Sequence, residues 1–177
     1  IKDYVSPKLP SATSFIRKTL GEIARLGSKE VRTVAKMAKT ISINSPVDKV
    51  FDYLSEPANL PEIWPSLVEI KDVERLPNGG TSFRWVYKMS GMCLKGTMED
   101  IEFVANQRVV SKGKGCGVKA TYIWTFQPED GGTKIMVEVE WTVPIPVLGK
   151  LVEAFIVKQN EHEFELMLAN LKDKTEA

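Results

Sequence analysis

Apolar residues recur along the chain at two different spacings, and the switch between them divides it into parts. Between Ser11 and Leu26, the residues Phe15, Ile16, Leu20, Ile23 and Leu26 stand three or four apart, as on one face of a helix. Ser11 or Thr13 can cap its start and Gly27 can stop it. A strand is predicted next, within TVAKMAKTISINSP and clearest over Lys39 to Asn44. Ser45 as N-cap, Pro46 at the first helical position and Asp48 in the first turn predict a helix, with Val47, Val50, Phe51 and Leu54 as its buried stripe. Pro57 ends it, and a second short helix, Ala58 to Ile63, runs up to Trp64-Pro65.

The period then changes to two. VEIKDVERL leads into Asn78-Gly79-Gly80, a hairpin signal. In the next strand Phe83, Trp85, Tyr87 and Met89 alternate with Ser82, Arg84, Val86 and Lys88. After a turn at Ser90-Gly91, Met92, Leu94 and Met98 share a face, and the parity slips near Glu99-Asp100, as a bulge would make it. QRVVSKGKG follows, then a strand with Tyr122, Trp124 and Phe126 on one side, then the turn Glu129 to Gly132. The last strand places Ile135, Val137, Val139 and Trp141 inward and Met136, Glu138, Glu140 and Thr142 outward. Such alternation describes an antiparallel sheet with one wet face.

From Val147 to Lys174 the chain reads as a single helix of about 25 residues, close to 40 Å long. It is the one element long enough to cover the sheet, which makes the fold α+β. Its stripe is read as Leu148, Val152, Phe155, Gln159, His162, Leu166 and Ala169, with Glu161 and Glu163 pointing elsewhere. Two polar side chains, including the single histidine, thus interrupt a buried face. A buried polar group without a partner costs about 1–3 kcal/mol, so such an interruption calls for water or a ligand.

Three stretches are similar in pattern to the SRPBCC superfamily, also called START-like, which includes polyketide cyclase/dehydrase-like proteins: ISINSPVDKVFDYLSEPANLPEIWPSLVEI, FRWVYKMSGMCLKGTMEDIEFV and GGTKIMVEVEWTVPIPVLGKLVE. The resemblance covers residues 35–177 and leaves 1–34 as a separate extension. It implies a helix-grip fold, a seven-stranded curved sheet around the long helix with a cavity between them. It also implies binding or transport of a lipid-like or polyketide-like molecule, or a cyclase or dehydratase activity. No catalytic motif is shared across that superfamily, so none carries over.

The positions expected to line the cavity are Trp64, Trp85, Tyr87, Met89, Leu94, Met98, Tyr122, Trp124, Val139, Trp141, Phe155, Gln159 and His162. Binding without catalysis is the leading expectation. The enzymatic alternative uses His162 as base with Tyr87 or Tyr122 as proton donor. The hairpin GKGCGVKA and the loop PIPVLG are expected at the mouth, with Lys112, Lys114 and Lys119 placed to meet an anionic head group. The hairpin lacks the residue order of a phosphate loop.

Charge adds one feature. Residues 1–40 carry nine Lys/Arg against three Asp/Glu, a net +6, while the remaining fifteen bases and twenty acids give −5. The basic helix within residues 11–39 is a candidate contact for an anionic membrane or a protein partner. Nucleic acid is not expected, because the aromatic residues and the charges fall on opposite faces. One histidine and two distant cysteines give no metal-ligand spacing, and no cofactor is expected. Cys93 and Cys116 read as free thiols, and no leader or membrane-spanning run is visible, so a cytoplasmic location is expected.

Overall fold

A computed structural model describes residues 32–89, 92–144 and 149–177, and the side chains of these other than 32–33, 89, 92, 143–144, 149–157 and 159. The expected N-terminal helix, the Ser90-Gly91 turn, most of the PIPVLG loop and the side chains of Met89, Val152, Phe155 and Gln159 lie outside the described residues.

The seven strands are β1 (Arg32–Ile43), β2 (Leu67–Arg75), β3 (Thr81–Met89), β4 (Met92–Val104), β5 (Arg108–Gly115), β6 (Val118–Glu129) and β7 (Gly132–Pro144). Helix α1 (Val47–Ser55), a 3-10 turn (Pro57–Asn59) and helix α2 (Leu60–Ile63) fill the gap between β1 and β2, and α3 (Gly149–Glu176) ends the chain. The sheet order is β1-β7-β6-β5-β4-β3-β2, every pair antiparallel. Because β1 returns to pair with β7, the meander β2–β7 is closed at one edge by the first strand.

Strand β1 is longer than its sequence suggested. It pairs with β7 from Arg32↔Pro144 to Ile43↔Thr133, and so extends well back from Lys39, where the strand pattern is clearest. Its early inward residues are the modest Ala35 and Met37, both buried, while Val34 stands outward and exposed. The pairing partner, rather than local hydrophobicity, fixes where the strand begins.

The helix start after β1 also differs. Pro46 itself holds the cap position, with φ −58° and ψ 148°, and no side chain caps the helix. Ser45 is buried, and its carbonyl accepts a hydrogen bond from the Thr133 hydroxyl at 2.7 Å. Gly132 lies so close to the carbonyl of Ile43 that any side chain there would collide with it. The Ser-Pro-Val start and the Gly-Gly-Thr-Lys turn are therefore packed against each other.

The core gathers on two aromatic centres. Phe51 of α1 meets Phe103 and Phe126 edge-on at 5.2 and 5.1 Å. Phe164 of α3 touches Trp64, Tyr122, Trp124 and Trp141, all within 6.5 Å. Both residues are nearly sealed from solvent.

The face that α3 buries requires a correction. Among its described residues the buried ones are Glu163, Phe164, Met167, Leu168, Leu171 and Thr175. His162, Leu166 and Ala169 are exposed. The true face lies roughly 140° around the helix from the expected stripe, at 100° per residue. Phe164, Met167, Leu168 and Leu171 carry the larger apolar load at i, i+3, i+4 and i+7, and that load decides which side meets the sheet.

Candidate functional site: an interior cavity with an acidic wall

The site begins with a turn. Leu76 N–H donates to the Gly80 carbonyl and Gly79 N–H to the Leu76 carbonyl, both at 2.9 Å. Gly79 adopts φ +90°, which the missing side chain permits. The Asn78 amide ties this turn to β4 by donating to the Asp100 carbonyl at 2.8 Å. Thr81, which follows the turn, is thereby set against the Asp100 side chain.

Asp100 faces inward because β4 keeps its parity up to that point. The register shift falls between Asp100 and Glu102, one step beyond the expected slip, and it returns Phe103 to the interior. The Asp100 carboxylate is buried and fully engaged. Oδ2 accepts from the Thr81 amide at 2.8 Å and the Thr81 hydroxyl at 3.0 Å, and Oδ1 accepts from the Ser111 hydroxyl at 2.6 Å. Since both hydroxyl hydrogens are spent on Asp100, the two oxygens present only lone pairs to their other neighbours.

These three residues form the polar wall of a cavity of about 70 Å³, partly open to solvent. Its other walls are mainly apolar: Leu54, Pro57 and Leu60 from the short helices, Phe83, Met98, Val109, Trp124 and Phe126 from the sheet, and Met167 from α3, with Trp64 and Tyr122 beside them and Ser55 as a further polar residue. Gly113 leaves the space next to Tyr122 and Met98 that a side chain would fill, its absent Cβ lying 3.3 and 3.4 Å from them.

A second buried polar group is linked to this cavity through Trp64, although it is not itself part of the lining. Glu163 of α3 is buried, and its Oε1 accepts from the Ser66 hydroxyl at 2.8 Å. Its Oε2 is buried without a partner, as are the indole N–H groups of Trp64 and Trp85. Tyr87 joins these groups. Trp64 meets its ring edge-on at 6.3 Å. Burial first, then the negative charge of Glu163, hold the Tyr87 phenol far above the usual tyrosine range; Ser66 and the Trp64 N–H pull the other way, and the nearby Glu163 carboxylate as acceptor adds to the rise. The Trp64 N–H is near enough for that influence but forms no hydrogen bond of good geometry. Burial likewise pushes Tyr122 up to about 12, partly opposed by the nearby Trp141 indole N–H.

Of the expected lining residues, Trp64, Met98, Tyr122 and Trp124 border the cavity. Val139 and Trp141 belong to the filled core, and Leu94 is half-buried. Trp85 lies over Gly96 and Gly115, where it covers the end of the sheet. His162 is exposed on the outer side of α3 and is not brought to the cavity, contrary to the expected stripe. Lys112, Lys114 and Lys119 are exposed and alternate with the inward Gly113, Gly115 and Ala120, so they project from the outer face. Thr81, Asp100, Ser111 and Glu163 are site residues that the sequence reading missed. The turn Asn78-Gly79-Gly80, which locks Thr81 in place, and the stripe from Phe164 to Leu171, which carries Glu163 on its shoulder, were the available signals.

The family model described as polyketide cyclase / dehydrase and lipid transport matches residues 34–176. A search among curated proteins finds no match. Among solved structures, a START superfamily protein from Mycobacterium smegmatis superposes with a TM-score of 0.68 at 16% identity, covering 80% of this chain and 97% of that one. The Zhui aromatase/cyclase from a Streptomyces species gives 0.67 at 14% identity, with 81% and 94% covered. A protein from Thermus thermophilus gives 0.63 at 22% identity, with 80% and 97% covered. Identities this low carry the fold alone, which is the helix grip. The family match, spanning most of the chain, carries more: the protein belongs to the polyketide cyclase/dehydrase and lipid transport family.

Proposed function

We propose that the protein binds a small apolar or amphipathic molecule between its sheet and α3, and that it carries or senses this molecule without transforming it. The observation that supports this reading is the cavity of about 70 Å³, apolar on most sides with one polar wall. At ~10–15 Å³ per water the space corresponds to roughly five waters. It is well below the ~300–1,000 Å³ of pockets that enclose drug-sized ligands, so the group it accepts is a short aliphatic end or a small ring substituent.

The family description spans catalysis and transport, both of which handle apolar small molecules. The interior chemistry favours the second. Tyr87 and Tyr122 are both held protonated far above neutral pH, which makes them hydrogen-bond donors and poor proton-transfer groups. His162 faces solvent.

The test is a titration with 1-hexanol followed by tryptophan emission, since Trp64 and Trp124 border the cavity. Saturable binding is expected, weakened at least about tenfold in Val109→Phe, which fills the space, and unchanged in His162→Ala. No saturable change in the wild-type protein, or equal binding by Val109→Phe, would overturn the proposal.

A further inference from the structure

Among the described residues, the two buried charged side chains are Asp100 and Glu163, and both are acids. The three lysines expected to greet an anionic head group point the other way. An anion entering this interior would meet like charge on two sides and no buried cation among the described residues, which disfavours its charged form. Asp100 is already satisfied by three donors, so it contributes negative potential and little unmet demand. Glu163 differs. It is 8% exposed, and Oε2 has no partner.

The Trp64 indole N–H is unpartnered too, and Trp64 and Glu163 both act on the Tyr87 hydroxyl. One is an acceptor and the other a donor. Each is destabilising while unmet in a buried place. A single neutral group that gives one hydrogen bond and takes one would satisfy both, and a hydroxyl does this. A carboxylate gives none and adds a third negative charge. Because Trp64 also borders the cavity, such a group at this station would leave its apolar remainder for that space.

We infer that Glu163, Trp64 and Tyr87 form a recognition station for an alcohol or phenol, and that the ligand class is a hydroxyl-ended apolar molecule, not a fatty acid or other anion. This rests on the interior-binding proposal above and narrows it.

Calorimetric titration with 1-hexanol and hexanoate at neutral pH, on the full chain, separates the possibilities. The two probes share one alkyl chain and differ at the polar end. The wild-type protein should bind 1-hexanol at least about tenfold more tightly than hexanoate. Glu163→Gln, which keeps an acceptor and removes the charge, should retain 1-hexanol binding and narrow that ratio. Glu163→Leu, which removes the acceptor, should weaken 1-hexanol at least about tenfold. Hexanoate binding as tightly as 1-hexanol, or 1-hexanol binding unaltered in Glu163→Leu (a station filled by water alone), would overturn the inference and leave interior binding standing. Failure of both probes to bind the wild-type protein would sink interior binding itself. The wild-type ratio needs no variant to fold, so the inference stays open to refutation.

Discussion

Asp100 is the residue on which the polar wall depends. Replacing it with alanine strands the Thr81 amide, the Thr81 hydroxyl and the Ser111 hydroxyl inside the protein. At about 1–3 kcal/mol for each unmet donor, with part of the cost relieved by water entering the cavity, Asp100→Ala should lose about 2–4 kcal/mol. Urea denaturation checks this, and a loss below about 0.5 kcal/mol would mean the three hydrogen bonds are not formed. Tyr122 gives a second prediction. Its folded value, pushed up to about 12, exceeds the value near 10 expected for the unfolded chain. The folded protein therefore holds this proton more tightly. The associated stability is complete below about pH 10 and drains as pH climbs from there through about 12. Unfolding free energy measured across that range should fall in the wild-type protein and fall less in Tyr122→Phe.

At the scale of elements, α3 separates what the sequence made legible from what it hid. Leu171 is sealed and Leu166 is 38% exposed, though both are leucines on one helix. Leu171→Ala should cost about 2–5 kcal/mol and Leu166→Ala under about 0.5 kcal/mol by thermal or chemical denaturation. Equal losses would return the helix to the phase expected from its first half. That expectation fails because Leu148, Val152 and Phe155 set the stripe, and extending it ignores the heavier run from Phe164 to Leu171. The strands behave differently. Their period of two leaves little freedom, so Phe83, Trp124, Phe126 and the whole inward set of β7 follow from alternation alone. The bulge is also legible, because Asp100 and Phe103 cannot both face inward on an unbroken strand. The role of Asp100 is hidden, since its partners Thr81 and Ser111 come from two other strands and only the register brings them together. Gly96 and Gly115 are likewise mute in sequence. They are cross-strand neighbours under the Trp85 indole, and a Cβ on Gly115 would approach it to 2.6 Å. Gly96→Ala should displace Trp85 and lower the melting temperature. Near-ultraviolet circular dichroism would report the displacement, and an unchanged aromatic signal would refute the stacking.

Taken together, the described residues form a curved sheet closed by its first strand, with a long helix fastened at its C-terminal end. There Asn170 donates to the Ile63 carbonyl at 2.9 Å, Lys174 pairs with Glu62 at 2.6 Å, and Glu176 accepts from the Asn44 amide at 2.6 Å. The exposed ion pair among these adds little stability, whereas the buried face from Phe164 to Leu171 anchors the helix. Between this fastened end and the acidic wall lies the cavity that the functional reading requires. The most direct measurement is a two-dimensional NMR titration of the four tryptophan indole N–H signals with 1-hexanol. The account predicts a saturable shift of the Trp64 indole signal, with a smaller shift at Trp124. An unmoved Trp64 signal, with changes confined to backbone amides of outward residues such as Lys112 and Lys114, would contradict it.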